Sequence, residues 1–209
     1  MSNMDRNKVI ENIENGQSLA EEDLSFLDLS EIDFKGVDLS GATFTGAKLT
    51  GADFSGCDLT GAFMAENFAE GTLFKEAIMD DVFFQRGVID KADFSNATMV
   101  DSSIFMMEGK GVIFDNANMK GSKVLKSILP ESTFENVDLG NSSLKGSDVQ
   151  GCNFNRAKLE NCDMRQTLTQ GATFEEASTA GVLFYGKKPW GEAADTRDWT
   201  QEFISFNDD

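Results

Sequence analysis

Gly51-Ala52-Asp53-Phe54-Ser55-Gly56-Cys57-Asp58-Leu59-Thr60-Gly61 states the same five-residue phrase twice: a small residue, a polar residue, a large apolar residue, then two turn-forming residues. The phrase continues in both directions without insertion or deletion. Counting in fives from Leu24 to Phe184 gives 33 positions, of which only Ala69, Gly109, Thr169 and Thr179 are not Phe, Leu, Met, Ile or Val. Neither a helix (3.6) nor a strand (2.0) has a period of five, so the pattern is an internal repeat and sets the architecture.

Residues 20 apart sort into columns of distinct character. One column reads Phe34, Phe54, Phe74, Phe94, Phe114, Phe134, Phe154, Phe174; the next reads Leu39, Leu59, Met79, Met99, Met119, Leu139, Leu159 before ending at Thr179. A 20-residue coil with four sides accounts for both. Rings stacked on successive rungs pack at about 0.5–1.5 kcal/mol per pair beyond their buried area. With rungs about 4.8 Å apart, eight coils make a rod about 39 Å long. Most of the glycines fall two residues after the central apolar position, where a corner favours Gly, Asn and Asp.

The blocks Ala52-Asp53-Phe54-Ser55-Gly56, Cys57-Asp58-Leu59-Thr60-Gly61, Ala92-Asp93-Phe94-Ser95-Asn96 and Ala157-Lys158-Leu159-Glu160-Asn161 resemble the unit of the pentapeptide-repeat family. The resemblance covers about four-fifths of the chain. It implies an all-β fold, a right-handed quadrilateral β-helix of about eight 20-residue coils. The chain then divides into an N-terminal helical cap (1–20), the β-helix (21–185) and a C-terminal tail or capping helix (186–209). In the first segment, Val9, Ile10 and Ile13 lie at helical spacing ahead of Gly16, as a lid on the first coil requires. In the last, Trp199, Phe203 and Phe206 follow Asp195 at i, i+4, i+7, the pattern of an N-capped amphipathic helix. They serve as a cap or, as in the quinolone-resistance branch of the family, as a dimer contact.

Composition narrows function by exclusion. The 209 residues include no His, the commonest general base and metal ligand, and no phosphate-binding or nucleophile-elbow motif. Neither enzyme activity, cofactor nor metal is expected. Cys57, Cys152 and Cys162 all occupy the small inward position, on different sides of the coil, so no disulfide is expected. No apolar run is long enough for a membrane span and no secretory leader opens the sequence; a cytoplasmic home is the expectation.

Two features point to partners. The first is charge: 36 acids against 18 bases, net −18, which opposes nucleic-acid binding. The resemblance implies a DNA mimic that binds a type II topoisomerase such as gyrase, with Asp33, Asp38, Asp53 and Asp58 on its acidic surface. Density tempers this reading. The repeat carries a net charge of −11 over its length, about one per 3.5 Å, against about one per 1.7 Å on duplex DNA. The quinolone-resistance proteins also often carry loops that break the frame, and this chain has none. Acid alone keeps a rod soluble. The opening Ile13-Glu14-Asn15-Gly16-Gln17-Ser18-Leu19 also resembles bacterial pentapeptide proteins found beside type VI secretion components, which implies an accessory role there.

The second feature is an apolar belt. The position before each central residue faces outward and is polar through most of the chain, then reads Phe63, Phe68, Leu73, Ile78, Phe83 and Val88 in succession. Twenty-residue coils put Phe63 beside Phe83 and Phe68 beside Val88. A slip in which Phe68 turns inward to replace small Ala69, as Leu168 would replace Thr169, accounts for Phe68 but not for all six. Exposed apolar surface of this extent marks a binding site, so the sequence reads as a scaffold that binds an unknown protein or a second copy of itself through the belt and the acidic surface.

Overall fold

The computed structural model describes residues 4–191, and within them the five-residue phrase folds into a four-sided coil that returns on itself every 20 residues. Bridges join residues 20 apart from Asp23↔Thr43 to Asp163↔Leu183, all parallel. The ladder repeats one rule: Leu24 donates its N–H to the Thr43 carbonyl (2.8 Å), Phe54 to Leu73 (2.7 Å) and Phe134 to Asn153 (2.7 Å). The outward positions donate the other way, as Thr43 does to Glu22 at 3.0 Å, so each rung is bonded to both neighbours, as buried polar groups require. The ladder already begins at Leu19, whose N–H reaches the Asp38 carbonyl at 2.9 Å.

We name the sides by their inward columns: face 1 carries Leu24, Phe44, Met64, Phe84 and onward; face 2 begins at Leu29, face 3 at Phe34, face 4 at Leu39. Face 3 holds the phenylalanine stack, with successive centroids 4.6–5.2 Å apart and planes within 3–12° of parallel. Rings from face 1 meet it edge-on, as Phe44 does Phe54 at 5.7 Å and Phe84 does Phe94 at 6.0 Å. These columns are buried from end to end.

The small inward position takes Ala, Val, Cys, Ser or Thr for a shared reason. At several of these positions the side chain lies against the carbonyl of a central residue one coil earlier, where a hydroxyl or thiol finds an acceptor inside the lumen. Thr72 donates to Leu49 (2.8 Å), Ser102 to Met79 (2.7 Å), Ser147 to Val124 (2.9 Å) and Cys57 to Phe34 (2.9 Å). Where the central residue is small, this position compensates in volume. Asn67 accompanies Ala69 and Met107 accompanies Gly109, with Gly87 between them leaving room for both side chains. Ala69 stays buried and Phe68 stays outside, so the frame does not slip there; Leu168 is likewise outside.

The corners are left-handed at every fifth residue from Glu21 to Gly186. Glycine fits this conformation, yet Glu, Lys, Arg, Phe26 and Met106 also adopt it, at a cost of about 1–2 kcal/mol each. Such strain persists because the surrounding ladder over-determines the backbone.

The ends are closed by different devices. Helix α1 (Arg6–Glu14) is N-capped by Asp5, whose carboxylate accepts the Lys8 N–H, and buries Val9 over the first coil. Arg6 ties it down by donating to the carbonyls of Asp28 and Ser30. At the far end Trp190 meets Phe174 and Phe184 edge-on, centroids 5.4 and 5.5 Å away. Trp199, Phe203 and Phe206 lie outside the described residues.

Phe94→Ala, at mid-rod, is expected to destabilise by about 3–5 kcal/mol, because rungs fixed on both sides cannot collapse into the void. Chemical denaturation measures this; a variant melting within about two degrees of the parent would contradict the stacked column.

Candidate interaction surface

Asp33, Asp38, Asp53 and Asp58 stand in the outward column of faces 3 and 4, and each does a local task. The carboxylate of Asp33 accepts the Lys35 N–H at 3.1 Å, Asp38 that of Ser40 at 3.1 Å, Asp53 that of Ser55 at 3.0 Å and Asp58 that of Thr60 at 2.9 Å. This is the side-chain turn that Asp and Asn make with a donor two residues on; Asn153 makes it to Asn155 at 2.9 Å. The hydroxyl and N–H of Ser40, with the Ser18 hydroxyl, hold the Asp38 carboxyl below the usual range. For Asp53, burial pushes upward, but the Lys35 ammonium and Ser55 outweigh it and the net direction is down. Lys35 lies 2.8 Å from Asp53 and 3.6 Å from Asp33, so this part of the acidic column is partly neutralised.

The six belt residues all point outward but are divided among the faces. Phe63 and Phe83 are on face 1, Phe68 and Val88 on face 2, Leu73 on face 3 and Ile78 on face 4. Phe63 (40% exposed), Phe68 (48%) and Ile78 (45%) are open to solvent, whereas Leu73, Phe83 and Val88 are half-buried. Leu73 sits between Asp53 and Asp93, and Ile78 between Asp58 and Thr98, so each is an isolated apolar residue in a polar column. The other four adjoin: Phe63 stacks on Phe83 with centroids 5.0 Å apart and 14° between planes, and Phe68 pairs with Val88 around the corner.

Face 1 differs from the others in backbone as well. Here alone among the described residues the chain forms extended strands, β1 (Phe63–Ala65), β2 (Phe83–Gln85), β3 (Ser103–Phe105) and β4 (Lys123–Leu125), paired in that order as one parallel sheet. At most other corners a bond runs from the small-position N–H to the preceding central carbonyl, as from Ala47 to Phe44 at 3.0 Å. After β2, β3 and β4 that N–H turns to a side chain on the next rung: Gly87 to the Met107 Sδ (3.1 Å), Met107 to the Ser127 Oγ (3.2 Å) and Ser127 to the Ser147 Oγ (3.1 Å). The corner opens and the residue after each centre is laid out on the sheet.

That opening displays apolar residues the outward-column reading does not reach. Phe105 and Leu125 lie on face 1 one residue after the centre, and Met106 (41% exposed) stands on the corner. Lys126 lies over the Phe105 ring, its Nζ 5.8 Å from the centroid. Arg86, Gly87, Val88, Met106 and Glu108 line a shallow pocket of about 320 Å³ at the same corner. Charge separates this face as well. Its outward positions from Asp23 to Gly186 carry five bases against three acids, whereas face 3 carries three against eight and face 4 two against seven.

Chemistry is sparse. Burial pushes the thiols of Cys57, Cys152 and Cys162 up to about 12, so they remain protonated. Among the described residues no group of three or more His, Cys, Asp or Glu could hold a metal ion, and no helix is long and apolar enough to cross a membrane.

A family model for pentapeptide repeats matches residues 23–64 and 132–168 in eight copies. No curated protein matches the sequence. Among solved structures, the chain is similar to HetL, a pentapeptide repeat protein involved in heterocyst differentiation regulation from the cyanobacterium Nostoc sp. strain PCC 7120. The two are 16% identical over 87% of this chain and 97% of that one, with a TM-score of 0.33. It is also similar to full-length QnrB1, a plasmid-mediated fluoroquinolone resistance protein (16% identical, 88% and 97% covered, TM-score 0.29). A pentapeptide repeat protein from the thylakoid lumen of Arabidopsis thaliana is 28% identical, with 70% and 71% covered and a TM-score of 0.27. Eight matched copies lie near the two ends of one unbroken frame, and the same coil runs between them, so the chain is built of pentapeptide repeats.

Proposed function

We propose that the protein is a non-catalytic β-helical scaffold that binds another protein through face 1, with Phe68 and Val88 extending the contact around the corner. One coincidence carries this reading: the outward-facing aromatic pair, the extended sheet and the excess of bases fall on the same side of the rod. Four rungs in regular pairing hold these side chains on a rigid support, so little conformational entropy is lost when a partner docks. Aromatic residues with a polar rim are the usual anchors of protein interfaces. The absence of His and the protonated, buried thiols support a role without catalysis.

A second reading is favoured by the opposite side. Faces 3 and 4 are acidic along their length, as a DNA mimic that binds a topoisomerase would need. Their turn-capping bonds and the Lys35 bridge give part of that acid a structural role instead.

Two variants separate the readings. Replacing Phe63 and Phe83 by Ser is expected to cost less than about 2 kcal/mol, since a stacked pair outside the lumen contributes little, and to abolish capture of a partner from host lysate by the immobilised protein. Unfolding of that variant would show the rings to be core and overturn the proposal. Replacing Asp33, Asp38, Asp53 and Asp58 by Asn is expected to leave stability nearly unchanged, because Asn makes the same turn bond. If DNA mimicry is the function, this variant loses salt-sensitive topoisomerase binding and any effect on gyrase supercoiling; binding that survives it removes the electrostatic basis of that reading.

A further inference from the structure

The charges on face 1 are ordered along the rod. The acids Asp23 and Glu66 lie toward the N-terminal end, and Arg86, Lys123, Lys126 and Lys145 follow toward the C-terminal end. Asp163, farther on, is already held by Arg165, with Arg165 Nη2 2.8 Å from the carboxylate. A surface that is acidic at one end, basic at the other and apolar between is complementary to itself when reversed.

We propose that the occupant of face 1 is a second copy of this chain, packed antiparallel about a two-fold axis that runs along the strands between β2 and β3. This rests on face 1 being a docking surface. A two-fold contact must be self-complementary, each residue meeting the one its own symmetry mate meets. An axis in that position keeps each outward column opposite itself and reverses the order of the rungs. Phe63 then faces Lys123 of the other copy, an ammonium over a ring, which is an attractive pairing. Leu125 faces the low surface above the buried Ala65, and Phe105 faces Gln85. On the open corner Glu66 faces Lys126 and Arg86 faces Met106. From the rung of Thr43 to that of Ser143 no two like charges oppose. The parallel alternative puts Lys123, Lys126 and Lys145 level with their own copies and lacks this matching.

Because the axis doubles every contact, one charge reversal acts twice. Sedimentation equilibrium of the full chain is expected to show concentration-dependent association from the 22.9 kDa monomer toward twice that mass, weakened by salt. Glu66→Lys and Lys126→Glu are each expected to weaken association roughly five- to tenfold, and the double swap to bring it back toward the parent. Rescue by the double swap requires that the two positions meet across the interface. Single reversals without effect, no rescue, or a monomer at every concentration would overturn the self-docking. A photo-crosslinker placed at position 83 keeps the outcomes apart. Linked dimers of this chain support the inference. A cross-link only to a different protein overturns it while leaving face 1 as a docking surface, and no cross-link with a monomeric chain removes both.

Discussion

The coil depends on one pairing rule: alternate backbone N–H groups of a rung donate to carbonyls 19 residues ahead and 21 residues back. Those offsets fix the coil at 20 residues and stack equivalent positions directly above one another. Stacking turns a short sequence phrase into long homogeneous columns, and the columns are the core. Within the described coils each residue meets its neighbours about one turn away in sequence. The ladder also lets Met106 or Phe26 occupy a left-handed corner that an isolated turn with either side chain would avoid.

The same rule sorts surface from interior with little ambiguity. Two positions in five face in, and the rest face out on one of four sides. The acidic residues show how local needs and global charge become entangled. An Asp before the central residue closes its corner by accepting an N–H two residues later, so a repeat that selects Asp for geometry accumulates negative charge as a by-product. Face 1 escapes this because Phe63, Phe83, Ser103 and Lys123 replace the turn-capping Asp, and the corners that follow are held open by side chains from the next rung. Its apolar and basic character and its regular sheet have one origin.

The architecture was legible in the sequence because a strict period leaves no freedom in assigning columns. The phenylalanine column, the helix over Val9 and the outward direction of the belt all follow from counting. The interaction surface was only half legible. Reading the outward column finds Phe63 and Phe83 but passes over Phe105 and Leu125, because the position after the centre counts as turn unless the corner opens. That opening depends on Gly87, Met107 and Ser127, which occupy small inward positions and look like ordinary lumen fillers. Trp190 was missed for a similar reason. It lies outside the frame, and only the edge-on contacts with Phe174 and Phe184 reveal it as a seal.

The unbroken frame has a consequence for how such a chain can change. Substitution is local, but length is not. Five residues inserted at mid-rod would leave every later unit well formed while turning it by a quarter circle, so Phe105 and Leu125 would leave the side that holds Phe63 and Phe83. Only an insertion of a whole coil keeps the four sides aligned, and it would lengthen the rod by one rung, about 4.8 Å. For this molecule the unit of folding is five residues, whereas the unit that preserves a surface is twenty.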